Sequence, residues 1–258
     1  MSVGKVVAIA NQKGGVGKST TAINLGAGLA FQGERTLIID LDPQGNTSSG
    51  LGVDRGAIEA STYDVLVDGM ALSDVLEPTS VLNLHVVPAT IELVGAEIEL
   101  VSVFSREQRL KSAIAEILDD YDFILIDCPP SLGLLTINGL AAADEVLIPI
   151  QCEYYALEGV SQLTRNIGLV QHNLNPQLEV EGVVLTMFDG RTTLAADVVA
   201  QVREHFGETT YKTVIPRTVR LSEAPSYGEP IEAYDRMSRG AIAYRELARE
   251  FRRRHGRT

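Results

Sequence analysis

The 258-residue sequence predicts an α/β fold, a mostly parallel, twisted sheet with helices on both faces. Three observations predict it. Apolar, β-rich runs alternate along the chain with segments of helical periodicity. Most of those runs are apolar throughout rather than alternating, as expected for strands covered on both faces. A glycine-rich turn joins the first run to the first helical segment, as in α/β folds that bind anions at a helix N-terminus.

The elements follow in order. Residues 6–10 form the first candidate strand and residues 19–31 the first helix. Candidate strands continue at 36–40, 84–88, 123–127, 145–150, 180–186 and 212–215. Helical patterns lie between them at 106–118, 158–173 and 194–206. The last segment, 241–254, places Tyr244, Leu247, Ala248 and Phe251 on one helical stripe. It predicts a docked C-terminal helix, with a basic tail over about 238–258. No repeat, low-complexity segment or Pro/Ser-rich linker interrupts the pattern, so one domain is expected over 1–258.

Composition narrows the function. Apolar content is 45% and charged content 22%, ordinary for a globular chain. No apolar run approaches the ~20 residues that span a bilayer. The chain goes almost directly into a strand, without the apolar stretch and cleavage site of a signal peptide. Cys128 and Cys152 match no metal or disulfide spacing, and are expected to be buried thiols in a reducing cytoplasm. Net charge is −12, which argues against nucleic acid, but its distribution reverses that argument. Residues 1–186 carry 9 basic and 24 acidic side chains, whereas residues 187–258 carry 13 and 10. An acidic protein can therefore present a basic face.

Three suggestive segments fall at strand ends, where ligands of such sheets gather. The first, 12–20, reads Gln-Lys-Gly-Gly-Val-Gly-Lys-Ser-Thr. Gly14, Gly15 and Gly17 let the backbone approach a ligand closely. Their N–H groups, with Val16 and the helix start at Lys18, Ser19 and Thr20, make a nest for phosphate oxygens. Lys18 can reach the β- and γ-phosphates of ATP, and Ser19 can place its hydroxyl on Mg²⁺. The usual pattern has Gly where Gln12 stands, and Lys13 is an additional lysine. The second segment, Asp40-Leu41-Asp42, offers one carboxylate near Mg²⁺ and another near an attacking water. The third ends an apolar strand at Asp127, as expected for the acid that holds Mg²⁺ through water. The expected architecture is thus a single-domain P-loop NTPase fold.

Residues 13–19 resemble the deviant Walker A motif of the family containing ParA and MinD. Residues 40–46, Asp-Leu-Asp-Pro-Gln-Gly-Asn, resemble the segment that follows in ParA/Soj-type partitioning ATPases. Residues 127–131, 153–159 (Glu-Tyr-Tyr-Ala-Leu-Glu-Gly), 186–191 and 215–226 match further motifs in the family's order. The resemblance implies an ATPase of slow intrinsic turnover. Lys13 would reach across a homodimer to the partner's nucleotide. Lys18 and Ser19 would hold phosphate and Mg²⁺, Asp42 would position the hydrolytic water, and Asp127 would be the Mg²⁺-associated acid. Met187 and Pro216 would form the adenine pocket. Arg217 and Arg220 match positions linked to non-specific DNA binding.

Two outputs compete. One is double-stranded DNA, contacted by Arg191, Lys212, Arg217 and Arg220, with the tail arginines as further candidates or as ordinary surface charge. Dimerisation would double that surface and multiply weak phosphate contacts. A ParB/Spo0J-type centromere-binding partner would stimulate hydrolysis, and the protein would be cytoplasmic and nucleoid-associated. The other output is a membrane, as for MinD-type positioning ATPases. It needs an apolar helix face of its own beside the basic one. The C-terminal stripe is already required for docking, so no membrane partner is expected. An electron carrier would need cysteines for an iron–sulfur cluster. Cys128, after the strand-end acid, and Cys152, at the next strand end, are the cysteines available to such a carrier. A small kinase or synthetase would need an acceptor lid or a dedicated second site, and neither of these is evident.

Overall fold

Successive residues of the apolar runs point to opposite faces of one sheet, and both faces are covered. Val6 and Ala8 enter one core cluster, Val7 and Ile9 the other. Ile124 and Ile126 likewise separate from Phe123 and Leu125. This is why these strands have no polar side. The computed structural model of the chain describes residues 4–153 and 156–257, with side chains of the second stretch described from residue 162. Tyr154, Tyr155 and the side chains through Gly159 of the 153–159 motif lie outside the described residues.

The strands are β1 (Lys5–Ile9), β2 (Thr36–Asp40), β3 (Glu77–Pro78), β4 (Leu84–Val87), β5 (Phe123–Asp127), β6 (Glu145–Gln151), β7 (Glu179–Phe188) and β8 (Thr210–Pro216). Their order is β3-β4-β2-β5-β1-β6-β7-β8. Every pairing is parallel except the short β3–β4 edge. The helices are α1 (Lys18–Ala30), α2 (Asn46–Gly50), α3 (Thr62–Leu66), α4 (Leu93–Glu99), α5 (Arg109–Ala115), α6 (Leu134–Ala142), α7 (Ala156–Asn173), α8 (Thr193–Phe206), α9 (Val219–Glu223), α10 (Ile231–Tyr234) and α11 (Arg239–Arg254).

The expected mostly parallel sheet is observed, with local differences. The helix expected over 106–118 is broken. Ser105 takes a left-handed φ of 53°, and 3-10 turns at Arg106–Gln108 and Leu118–Asp120 flank the shorter α5. Helix α6 was not foreseen, because it carries no charged residue and its polar Thr136 and Asn138 are buried with its apolar ones, so no exposed polar face marks a period.

Helix α11 docks as expected. Tyr244, Leu247, Ala248 and Phe251 are buried, and Phe251 meets Phe123 edge-on at 5.2 Å. Most tail arginines are bound within the chain. Arg252 pairs with Glu34 at 2.8 Å, Arg257 with Asp122 at 3.1 Å, and Arg254 lies over the Tyr211 ring at 3.8 Å. These contacts clamp the helix onto the sheet, so ordinary structural pairing describes them better than a free basic face. No helix among the described residues is long and apolar enough to cross a membrane.

The clamp carries a pH signature. His255 Nε2 and Glu145 Oε2 lie 2.8 Å apart, and Lys5 pairs with the same carboxylate at 2.9 Å. Burial pushes His255 down, but the hydrogen bond and charge of Glu145 outweigh it and hold His255 above its ordinary 6.5. Burial pushes Glu145 up, but His255 and Lys5 outweigh it and hold it below 4.5. The raised histidine stabilises the fold below pH 6.5 and loses that contribution as pH rises through its folded value. The depressed glutamate stabilises above pH 4.5 and loses its contribution on acidification. Thermal melts should therefore decline from about pH 6 to pH 8.5 by roughly 2–4 °C, the scale of ~1 kcal/mol in a chain this long. His255→Gln should flatten that decline. An equal decline in the variant would remove His255 as its cause.

Candidate active site

Register brings the three segments to one edge. Ile9 of β1 pairs with Asp127 of β5, and Asp40 of β2 pairs with Asp127 from the other side. The strand ends therefore lie side by side, although their residues are distant in sequence.

The loop between β1 and α1 is tied down at its start. Asn11 donates to the Pro149 carbonyl at 2.7 Å and accepts from the Lys13 N–H at 3.0 Å. Thr186 Oγ1 donates to the buried Val16 carbonyl at 2.8 Å. Gly15 and Gly17 have φ of 74° and 90°, which glycine tolerates without strain. A Cβ on Gly14 or Gly15 would meet nothing within 4 Å, so this backbone faces open space. Gly17 caps α1 without a side-chain hydrogen bond, leaving the first-turn N–H groups of the helix to a ligand.

The loop borders a cavity of about 640 Å³. Gly14, Gly15, Gly17, Lys18, Ser19 and Thr20 line one wall, and Asp42 with Gln44 lines another. Met187, Pro216 and Arg217 line the far end. Met187 takes a left-handed φ of 54°, a strained geometry for a residue with a side chain. Lys18 is buried, and its Nζ donates to the Lys13 carbonyl at 3.3 Å. Burial lowers its pKa more than Asp127, Cys128 and Asp42 raise it. An added phosphate would reverse that balance.

The carboxylates have distinct partners. Asp40 accepts from Ser48 Oγ at 2.7 Å, from Ser48 N–H at 2.9 Å and from Asp42 N–H at 3.1 Å. It organises the turn rather than facing the cavity. Asp42 accepts the Gln44 N–H at 3.0 Å. Asp127 lies fully buried behind the lining, where its Oδ2 accepts from Thr47 Oγ1 at 2.7 Å. Its Oδ1 is buried with no hydrogen-bond partner among the described residues. Burial raises the pKa of both Asp40 and Asp127, and the charge of Asp127 raises that of Asp40 further. A buried acid pair of this kind calls for a cation beside it. Hydroxyl and carboxylate oxygens around Ser19, Asp42 and Asp127 suit a hard divalent ion, with the phosphate nest next to it.

Lys13 does not line the cavity. It is half-exposed at the rim, with Nζ 3.7 Å from Glu153 Oε2. The four candidate DNA residues do not form one patch. Arg191 and Arg217 both act on Asp189, which binds Arg191 through 2.8 and 2.6 Å contacts. Arg220 pairs with Glu223 at 3.0 Å and Asp235 at 3.5 Å. Lys212 sits near the opposite end of β8, about 16 Å along the strand from Arg217. Motif reading missed Thr47, Ser48 and Asn11, and matched Thr186 only as the start of the 186–191 motif, without a role. Thr47 directly follows the 40–46 segment, but a hydroxyl beside a carboxylate has no signature until the fold pairs them.

Comparisons with known proteins agree with this geometry. A family model described as an AAA domain matches residues 4–180. The chain is 58% identical over 248 residues to the sporulation initiation inhibitor protein Soj of Bacillus subtilis, covering 96% of this chain and 98% of that one. It is 54% identical to the chromosome partitioning protein ParA of Myxococcus xanthus, over 98% of this chain and 89% of the relative. Among solved structures it resembles a cobyrinic acid a,c-diamide synthase from Mycobacterium smegmatis with a bound ATP analogue and magnesium. The TM-score is 0.84 at 42% identity, covering 96% and 93% of the two chains. It also resembles the cell division ATPase MinD of Pyrococcus furiosus, with TM-score 0.80 at 29% identity, covering 97% and 99%. A phosphate nest, an adjoining acid cluster and near-full-length identity above one half together place this chain in the Soj/ParA family of chromosome-partitioning ATPases.

Proposed function

We propose that the chain is an ATP-dependent DNA-partitioning switch. The observation that carries this reading is the convergence of the uncapped α1 N-terminus, Lys18 and Asp42 on one cavity, with the Asp127 carboxylate buried behind its lining and acting on Lys18. ATP fits that cavity with its phosphates on residues 13–20 and its base toward Met187 and Pro216. Mg²⁺, when bound, supplies charge neutralisation between the phosphates and the acids. Ser19 and Asp127 would hold it: the Asp127 Oδ1 is buried with no close hydrogen-bond partner among the described residues, and the Ser19 hydroxyl already acts on the same carboxylate. Asp42, at the cavity wall, orients the attacking water.

Lys13 belongs to a second copy's site in this reading. Its position at the rim, outside its own cavity, suits a lysine that crosses a dimer interface to a partner's phosphates. Dimerisation would then depend on the phosphate that Lys13 meets. The dimer would bind double-stranded DNA non-specifically through Arg217, Arg220 and Arg191. A ParB/Spo0J-type partner would stimulate hydrolysis and release the protein from the nucleoid. The apolar stripe of α11 is consumed by the core, which disfavours the membrane-associated, MinD-like alternative.

A DNA-binding assay with ATP, ADP and no nucleotide, over a salt series, tests the switch. ATP-selective, sequence-independent and salt-sensitive binding is expected. Arg217→Glu with Arg220→Glu should remove two phosphate contacts per protomer, hence four per dimer. The slope of log affinity against log salt should then fall by about 3–4. ATP-dependent dimerisation, read by light scattering, should persist. An unchanged slope would move the DNA surface away from Arg217 and Arg220, with the arginines of α11 and the tail tested next.

A further inference from the structure

The phosphate loop has little of its own to hold it in shape. Residues 14–17 are Gly-Gly-Val-Gly, so three of the four have no side chain. Glycine backbone loses more freedom on ordering than any other, and such a loop keeps one shape only if its surroundings impose it. Asn11 fixes its start. Thr186 fixes its middle, where the hydroxyl donates to the Val16 carbonyl at 2.8 Å, and Val16 and Thr186 are both buried. The Thr186 methyl lies 3.8 Å from where a Cβ on Gly17 would stand.

The strand that delivers Thr186 is itself pinned at this point. The Thr186 carbonyl accepts the Cys152 N–H at 3.0 Å, and the Phe188 carbonyl accepts the Arg217 N–H at 2.9 Å. Met187 lies between these two bonds in its left-handed φ of 54°. Strain of this kind persists only where the surroundings over-determine the backbone. Thr186 and Met187 both line the cavity, with Met187 at the end away from the phosphate loop. Thr186 is thus bonded to one end of the cavity and is the chain neighbour of the residue that forms the other.

We propose that Thr186 is a positioning residue, which holds the phosphate loop in register with the base end of the cavity so that ATP is gripped at both ends at once. This rests on the reading that ATP lies in the cavity with its base at Met187. Without the hydroxyl, the buried Val16 carbonyl has lost its partner and the loop shifts to find another. The loop N–H groups then no longer stand at the right distance from the base end. A ligand that must meet both ends suffers from such a shift, whereas one that meets the loop alone can follow it.

Isothermal titration of the full chain with ATP and with inorganic tripolyphosphate, each with Mg²⁺, tests the register. Thr186→Val keeps the shape and removes the hydroxyl. It should weaken ATP by about tenfold, as for one orphaned buried carbonyl, and tripolyphosphate by no more than about threefold. KM for ATP should rise with the binding loss while kcat changes little, the pattern of a lost binding interaction. Thr186→Ser keeps the hydroxyl and should restore ATP binding. Circular dichroism checks each fold, and Thr186→Ala makes the same comparison should Thr186→Val melt below the assay temperature. Unchanged ATP affinity, equal loss of both ligands, or failure of serine to rescue would each overturn the proposal. Lys18→Ala separates that outcome from failure of the underlying reading, because it should lose both ligands. If it keeps both, the cavity is not the phosphate site and the placement of ATP falls. If it loses both while Thr186→Val does not discriminate, only the role of Thr186 falls.

Discussion

Lys18→Ala should lower ATP affinity by about 100-fold or more and abolish turnover with it. Lys18 supplies the buried positive charge at the cradle, between the glycine loop and the acids of the neighbouring strands. A charge-assisted hydrogen bond contributes about 1.5–3 kcal/mol, and two phosphates share this one side chain. The fold should survive, because Lys18 has one side-chain hydrogen bond, to the Lys13 carbonyl, and lies outside both core clusters. Isothermal titration with ATP and Mg²⁺, beside a circular dichroism melt, reads both quantities. Affinity retained within about threefold would refute the cradle assignment, since each tenfold loss corresponds to only about 1.4 kcal/mol. Lys18→Arg should rescue little, because the planar guanidinium does not replace a compact ammonium in this buried position.

Asp42→Ala should leave ATP binding nearly intact and lower turnover by about 100-fold or more, the usual range for removal of a residue that handles a reacting proton or water. The structure adds a control. Asp42 Oδ1 also accepts the Gln44 N–H, so the alanine variant removes a turn contact together with the carboxylate. Asp42→Asn keeps an oxygen acceptor for Gln44 and loses the charge. If both variants fail to hydrolyse ATP yet form the ATP-dependent dimer, the carboxylate itself is required. If Asp42→Asn turns over normally, Asp42 shapes the turn and another group positions the water. Single-turnover kinetics separates this from slow product release.

The fold was legible wherever burial on both sheet faces forced a continuous apolar run. The strands at 36–40 and 123–127 have the predicted bounds for that reason. Strand β3 was not legible. It has two residues, one of them proline, and it forms only by pairing with β4 at the edge. Helix α6 was hidden because it is buried on nearly all sides, Thr136 and Asn138 included, which leaves no polar face and no period to detect. The candidate site was legible in the same uneven way. Glycines, lysines and strand-end acids have motifs, whereas Thr47 and Ser48 matter only because β2 and β5 lie side by side.

The sequence by itself determined the phosphate cradle and the sheet that carries it. A strand, a glycine loop and a helix start are contiguous, so their geometry follows from local chain preferences. Only the tertiary structure decided which acids join the cradle and which cations remain available. Asp127 reaches the glycine loop through the parallel register of β5 with β1, and Asp40 reaches Asp127 through β2. The same packing gives Arg252, Arg254 and Arg257 their carboxylate partners and leaves Arg217 at the cavity rim. These are non-local contacts, fixed by how strands and helices pack, and no single stretch of residues encodes them.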